Sequence, residues 1–158
     1  REAFSGKITY VAHGADEAEK VAFWPLLDAV AVSLYPVLGA AGATADWDRA
    51  IAKELDRVEA VARKHAKPIW IAEIGIRSAE GATARPWESA EERAAPADMA
   101  LQADVLRRWL RALEARDIPD LWVWRWFTDP ESGGAEDTDF TVQNKLAEEV
   151  IADFWGKG

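Results

Sequence analysis

The chain has 158 residues, of which 49% are hydrophobic and 30% are charged, a composition typical of one globular domain with a sizeable core. Its 28 acidic residues exceed its 19 basic residues and give a net charge of −9, which argues against nucleic acid or an anionic membrane surface as a partner. There is no cysteine, so disulfides and thiolate metal sites are excluded. No apolar run reaches the roughly 18 residues that a membrane-spanning helix needs. The first residue is Arg1 and the only methionine is Met99, so we expect the natural start of the protein to lie outside these residues.

Four segments are predicted to form β-strands, because they are rich in β-branched and aromatic residues and are flanked by glycine, proline or aspartate. They are residues 7–12, 28–35, 67–73 and 121–127. Helices or turns are predicted between and after them. The alternation of strand and helix, with no hairpin signal, predicts an α/β fold of four parallel βα units.

The helices differ in how clearly the sequence marks them. A short helix or turn is expected over residues 16–24, and a last helix over residues 144–155. Two long helices each carry one apolar stripe, with Asp46 and Asp98 as their predicted N-caps and Gln102 on the polar side of the second. The stripes are Trp47, Ile51, Leu55, Val58 and Ala62 in the first helix, and Leu101, Val105, Trp109 and Leu113 in the second.

Glu73 is the most informative single residue, because it ends the apolar strand 67–73. In a regular strand it shares the face of Ile69 and Ile71. A carboxylate at such a position must be hydrogen-bonded, paired or catalytic, since an unpaired buried charge is too costly. An ion pair with a neighbouring arginine is the alternative to a catalytic role.

Three more side chains stand at or just past the carboxyl ends of the other predicted strands: His13, Tyr35 and Trp126. In barrels of βα units the active site lies at that end of the strands. An imidazole, a phenol, a carboxylate and an indole on one rim are typical of a sugar site, because aromatic rings stack on the apolar face of a pyranose and polar tips bind hydroxyl groups. Trp124 shares the strand face of Trp126 and is a further candidate.

Two polar loops supply the remaining candidates. Residues 79–96 form a segment too long for a plain connection, and we expect its Trp87 to line the cleft. Residues 129–139 contain several carboxylates, but their spacing does not match a calcium-binding loop, so they are interpreted as a solvated acidic loop. We therefore predict no metal site and no cofactor.

Several motifs together resemble one family. They are Lys-Pro-Ile-Trp-Ile-Ala-Glu-Ile-Gly-Ile-Arg-Ser at 67–78, Arg-Pro-Trp at 85–87, Trp-Arg-Trp at 124–126, and Asp-Thr-Asp-Phe-Thr at 137–141 followed by Lys-Leu-Ala-Glu-Glu-Val-Ile at 145–151. In this order they resemble the second half of a glycoside hydrolase family 113 enzyme, a family of retaining β-mannanases built on a (β/α)₈ barrel. The resemblance implies one half-barrel (β/α)₄ domain over residues 1–158, half of a TIM-type barrel. It also implies that Glu73 is the strand-seven nucleophile.

The chain departs from the family pattern in three respects. Ile76 follows Glu-Ile-Gly where the family has tyrosine, and Leu146 stands where it has a Lys-Pro-Ala-Glu step, so substrate preference is expected to differ. The family's acid/base glutamate on strand four has no counterpart. We therefore expect either a fragment or a genuine half-barrel whose open edges and inner face are covered by association or by a terminal segment.

The first functional hypothesis is a retaining glycoside hydrolase acting on β-mannosides, β-glucosides or β-galactosides in an oligo- or polysaccharide. Glu73 is the expected nucleophile. Asp129, two residues beyond the last predicted strand, is favoured as acid/base over Asp16, Glu17, Glu80, Glu88 and Glu131. The expected substrate-binding residues are His13, Tyr35, Trp87, Trp124 and Trp126.

Two alternatives remain open: a carbohydrate-binding half-barrel without catalysis, and a fragment active only with its missing N-terminal half. Turnover of an aryl glycoside with a good leaving group discriminates catalysis from binding alone. We also expect a homo-oligomer with two halves facing, because an inner sheet face carrying Ile69 and Ile71 would be too apolar to stay exposed.

Overall fold

The computed structural model describes residues 3–40 and 42–156. Its centre is a parallel four-stranded sheet in the order β1-β2-β3-β4. The strands are β1 (Val11–His13), β2 (Val30–Leu34), β3 (Ile69–Ile74) and β4 (Leu121–Val123). The helices are α1 (Gly14–Ala18), α2 (Thr44–His65), α3 (Met99–Glu114) and α4 (Leu146–Trp155), with 3₁₀ turns at Trp24–Leu26 and Ala82–Ala84. The predicted α/β fold of four parallel βα units is confirmed.

The core lies between one face of the sheet and the helices. Val30, Val32 and Leu34 of β2 and Ile71 and Ile74 of β3 are fully buried there. Both predicted helix stripes join the same apolar cluster, and all nine of their side chains are buried. The sheet is thus held from one side by the faces of α2 and α3 that the sequence pattern predicts.

The predicted N-cap is present at α3 and absent at α2. The Asp98 carboxylate accepts the amide of Leu101 at 2.9 Å, so this N-cap is confirmed. Asp46 lies in the first turn of α2, makes no capping bond and instead binds Arg49 at 2.6 Å. The predicted cap at Asp46 is therefore wrong.

The opposite, inner face of the sheet is open and carries Val11, Trp70 and Trp122. The rings of Trp70 and Trp122 pack edge to face with centroids 6.3 Å apart. Val11 is 45% exposed and Trp122 is 53% exposed. The prediction that Ile69 and Ile71 lie on this face is wrong, because both pack into the cluster shared with the helices.

The outer strands are shorter than predicted, and side chains share in the hydrogen bonds next to them. Before β1, the amide of Ile8 donates to the Asp28 carboxylate at 2.7 Å, while the carbonyl of Ile8 accepts the amide of Asp28 at 2.9 Å. After β4, the amide of Trp124 still donates to the carbonyl of Ile74 at 2.7 Å, but that of Phe127 donates to a side chain, Oε1 of Gln143. Within residues 3–40 and 42–156 no helix combines the length and apolar character needed to cross a membrane.

Candidate active site

Glu73 lies half-buried near the carboxyl end of β3, between two hydroxyl groups from β2 and the residue that follows it. The Tyr35 hydroxyl donates to Oε1 of Glu73, and the Ser33 hydroxyl donates to Oε2 at 3.0 Å. Burial first, and then the hydrogen bond to Glu73, raise the pKa of Tyr35, so its hydroxyl keeps its proton and remains a donor. One donor on each oxygen fixes the direction of the carboxylate.

A register shift turns Glu73 toward these hydroxyl groups. Val32 pairs with Ile71, but the next residue of β2, Ser33, pairs with Glu73, so β3 holds one extra residue at this point. In a regular strand Glu73 would share the face of Ile71 and point at the helices. The bulge re-aims it to the inner side, which corrects the expectation from strand periodicity.

On that side Glu73 faces a cleft of about 330 Å³. Four of the predicted substrate-binding residues line the cleft with it: His13, Tyr35, Trp87 and Trp124. The other lining residues are ones that the sequence patterns did not single out: Ser33, Ser89, Glu91, Arg125, Asp139 and Phe140. The structure thus brings together side chains from all four βα units at the carboxyl ends of the strands.

Two indole rings of the cleft are accessible to a ligand. Trp87 is 53% exposed and Trp124 is 43% exposed. Trp87 also borders a neighbouring cavity of about 180 Å³, which shares His13 and Tyr35 with the cleft. The accessible surface therefore continues past Trp87.

An ion pair forms the wall beside Trp124. The guanidinium of Arg125 donates to Oδ2 of Asp139, and it lies over the rings of Trp124 and Phe127 at 5.9 Å and 4.6 Å from their centroids. Oδ1 of Asp139 accepts the amide of Phe140 at 2.8 Å. Asp139 is thus already committed on both oxygens, and the cationic group holds the Trp124 side of the cleft in place.

Two predicted site residues lie outside the cleft. Trp126 is 57% exposed but is not among the residues that line it. Asp129 lies in an exposed turn, where its Oδ1 accepts the amide of Glu131 at 3.0 Å and its carbonyl accepts Nε2 of Gln143 at 3.0 Å. The chain leaves the sheet after Trp124 and carries Trp126 and Asp129 away from the cleft, whereas Asp139 and Phe140 return to line it.

The described part of the chain has no group of three or more His, Asp or Glu side chains arranged to hold a metal ion. The cleft itself offers carboxyl, hydroxyl, imidazole, guanidinium and indole groups.

Comparison with known proteins agrees with this geometry. The family model of Glycoside Hydrolase Family 113 matches residues 1–145. The chain belongs to that family. The resemblance seen in its motifs is thereby confirmed. No match was found among curated proteins.

Solved structures of family 113 are similar over the full length of the chain. The structure of a GH113 β-1,4-mannanase matches 100% of this chain with a TM-score of 0.82 and 26% sequence identity. A complex structure of a GH113 β-1,4-mannanase also matches 100% of this chain, with a TM-score of 0.81 and 25% sequence identity. The GH113 β-mannanase AaManA from Alicyclobacillus acidocaldarius, in complex with ManMIm, has a TM-score of 0.73, 23% identity and 99% coverage, and shows the fold alone.

The family 113 chain spans about half the length of these relatives, 48%, 48% and 47% of their chains respectively. Its four parallel βα units correspond to half of a TIM-type barrel, as the motif resemblance implied.

Four of the cleft residues that the sequence analysis did not single out lie in segments that it had already identified. Ser33 precedes Tyr35 by two residues and so shares its strand face. Glu91 belongs to the long polar loop that was expected to carry function. Arg125 lies inside the Trp-Arg-Trp motif, and Asp139 inside the Asp-Thr-Asp-Phe-Thr motif. What the sequence lacks is any sign that these segments meet.

Proposed function

We propose that this chain is the nucleophile-bearing half of a retaining glycoside hydrolase that acts on β-linked hexosides of an oligo- or polysaccharide. The observation that carries the proposal is Glu73, which has one hydroxyl donor on each oxygen and faces a cleft lined by Trp87 and Trp124. β-Mannosides come first among the substrates, because the similar structures at 26% and 25% identity are β-1,4-mannanases. β-Glucosides and β-galactosides are the next substrate candidates.

In the proposed reaction one oxygen of Glu73 attacks the anomeric carbon, the bond from that carbon to the leaving-group oxygen breaks, and a covalent glycosyl-enzyme forms. Water then attacks the same carbon and releases Glu73. Tyr35 and Ser33 hold the carboxylate in its direction of attack. Trp87 and Trp124 provide faces on which pyranose rings stack.

The other two carboxyl groups of the cleft are poorly suited to donate a proton to the leaving group. Hydrogen bonds from its own amide and from Ser89 lower the pKa of Glu91, whereas a general acid needs a raised one. Asp139 is paired with Arg125, and Asp129 lies outside the cleft. We therefore propose that the acid/base comes from the half of the barrel that the relatives possess beyond the span of this chain.

Covalent labelling tests the nucleophile without needing that acid. A 2-deoxy-2-fluoro-β-mannosyl fluoride loses fluoride without protonation, so attack by Glu73 should leave a fluorosugar ester that peptide mass spectrometry locates on residue 73. The Glu73→Gln variant is the control and should stay unlabelled. Labelling at another residue, or no labelling by mannosyl, glucosyl and galactosyl fluorides, would contradict the proposal.

A carbohydrate-binding half without catalysis is the second candidate. It is favoured by the ion pair of Asp139 with Arg125 and by the lowered pKa of Glu91, since these make both further carboxyl groups of the cleft poor proton donors. Calorimetry with β-1,4-mannotetraose separates the two candidates, because a pure binder gives heat of binding and no labelled Glu73.

We also propose that residues 1–158 fold as one domain and that the isolated chain self-associates through the inner face. That face carries an accessible apolar surface formed by Val11, Trp70 and Trp122. In addition, β1 and β4 are edge strands of the described sheet, because each has one neighbouring strand. Two halves facing each other would cover this surface. Light scattering should give a dimer or larger species at micromolar concentration, and Trp122→Lys should give monomers while Trp126→Lys does not. A strict monomer of the parent chain would contradict this.

A further inference from the structure

Arg77 is a buried cation four residues beyond Glu73 in the chain. Its residue surface is 1% exposed, and its guanidinium donates to backbone carbonyls and one hydroxyl. Nη1 donates to the carbonyls of Ser89 at 3.0 Å and Arg93 at 2.9 Å. Nε donates to the carbonyl of Thr138 at 2.9 Å, and Nη2 reaches its hydroxyl at 3.4 Å. A buried guanidinium that donates hydrogen bonds to loop backbone holds those loops in position.

The contacts of Arg77 join two segments that lie far apart in sequence. The first, the front loop, comprises residues 79–97, and its ends are tied by a bridge between Ala79 and Ala97 and by a bond from the Glu80 amide to the Pro96 carbonyl at 2.9 Å. The second is the acidic loop, residues 129–139. Arg77 holds the middle of the front loop against the acidic loop, where the terminal ties do not reach.

Both loops supply walls of the cleft. Trp87, Ser89 and Glu91 of the front loop line it, and so does Asp139, which follows the Thr138 that Arg77 binds. The same guanidinium therefore sets the separation of the two walls. Lysine carries its three donors on one nitrogen, whereas the planar guanidinium of arginine spreads five donors over three nitrogens and so reaches both loops in fixed directions.

We infer that Arg77 is a positioning residue for sugar binding, whose guanidinium clamps the front loop to the acidic loop so that Trp87 and Glu91 face Glu73. This inference rests on the proposed function for its ligand. The clamp itself is a statement about the loops and is measurable without a sugar.

Two Arg77 variants and one control test the clamp. Arg77→Met removes all donors, Arg77→Lys keeps the charge with one nitrogen, and Arg85→Met removes a front-loop arginine whose side chain is 68% exposed. Glutamyl endopeptidase reports loop opening, because the front loop contains Glu80, Glu88, Glu91 and Glu92. Calorimetry with β-1,4-mannotetraose reports Kd at a temperature where every variant is fully folded.

We expect Arg77→Met to speed front-loop cleavage and to weaken Kd by at least about tenfold each, with Arg77→Lys intermediate and Arg85→Met unchanged. A merely structural role would lower Tm and leave the Kd of the folded chain as it was. Unchanged Kd and cleavage in both Arg77 variants would overturn the inference. Loss of the fold in both would also overturn it, because Arg77 would then be a core residue.

Failure of the proposed function gives a different result. If the parent chain binds no mannotetraose, glucotetraose or galactotetraose but Arg77→Met still speeds front-loop cleavage, the clamp is supported and the sugar site is overturned. If the parent chain binds sugar and Arg77→Met changes neither cleavage nor Kd, the clamp alone is overturned.

Discussion

The carbonyl oxygen of Trp124 occupies the space that a side chain at Gly75 would need, since a Cβ there would lie 2.3 Å from it. The amide of Trp124 donates to the carbonyl of Ile74 at 2.7 Å. The exits of β3 and β4 are therefore in backbone contact two residues beyond Glu73. This contact places the Trp124 indole beside the proposed nucleophile.

Gly75→Ala is expected to push these two exits apart. The clash is with backbone, which yields less readily than a side chain, so we expect a loss of about 1–3 kcal/mol in the free energy of unfolding and a Tm lower by roughly 2–10 °C. Differential scanning calorimetry measures both. Gly81→Ala is the control, because its Cβ would meet nothing within 4 Å and only its φ of +73° opposes alanine, at a cost of about 1 kcal/mol. Equal losses in the two variants would contradict the contact.

The bond from Tyr35 to Glu73 predicts a loss of stability at alkaline pH. Burial and the hydrogen bond to Glu73 raise the pKa of Tyr35 in the folded chain. Unfolded Tyr35 therefore loses its proton near pH 10, while folded Tyr35 keeps it. The folded state then binds more protons than the unfolded state, so the stabilisation present below pH 10 is lost as pH rises above it, by up to about 1.4 kcal/mol per pH unit. Tyr35→Phe should remove this part of the slope of urea-unfolding free energy between pH 9 and 11.

The second tyrosine supplies the control for that measurement. Tyr10 is more exposed, and its hydroxyl donates to Glu17 at 2.6 Å on the surface. This hydrogen bond also raises the pKa of Tyr10, so the comparison isolates the part of the slope that comes from burial beside Glu73. Lysine titration in the same range is common to all variants and cancels in the differences. A Tyr10→Phe variant that changes the slope as much as Tyr35→Phe would show that burial beside Glu73 has no special effect.

Much of the fold was predictable because it depends on local patterns. The stripes of α2 and α3 reach the core as predicted, and Asp98 caps α3, because helix periodicity and capping involve residues at most four apart. Glu73 was found because it ends an apolar strand. Each of these features is determined by near neighbours in the chain.

The features that the sequence did not reveal depend on distant partners. The turn of Glu73 to the inner face follows from a register shift against β2, which strand periodicity ignores. Gln102 was predicted on the polar side but is buried, because its amide donates to the carbonyls of Ile76, Phe140 and Thr141, 26 to 39 residues away. Such pairings become visible only when the segments are brought together.

Trp124 and Trp126 make a matched pair for testing the cleft by fluorescence. Their exposures are similar, 43% and 57%, but only Trp124 lines the cleft. We expect Trp124→Ala to reduce the change in intrinsic fluorescence on adding mannotetraose, with Trp87 giving the remainder, and to weaken binding about tenfold, because one stacking face is lost. Trp126→Ala should keep both. Loss of the signal in Trp126→Ala with retention in Trp124→Ala would reverse the assignment of the two rings.

The ion pair between Arg125 and Asp139 is the last feature of the cleft with a measurable consequence. Asp139→Asn retains Oδ1, which accepts the Phe140 amide, and removes the negative charge, so Arg125 is left without its carboxylate while its Nε is already buried without a partner in the described structure. Since 32% of the Arg125 side chain is exposed, water screens part of the loss, and we expect about 1–3 kcal/mol rather than the larger cost of a fully buried pair. Urea unfolding at pH 7 measures this value.

A double-mutant cycle separates the pair from the individual side chains. Arg125→Met together with Asp139→Asn should recover part of the stability lost by Asp139→Asn, because no cation then remains unpaired. Asp46→Asn is the control, since the pair of Asp46 with Arg49 is mostly exposed and its loss should cost less than about 0.5 kcal/mol. If Asp139→Asn costs no more than this control, the pair does not hold the Trp124 wall. The position of Trp124 must then depend on its backbone contacts with Ile74 and Gly75.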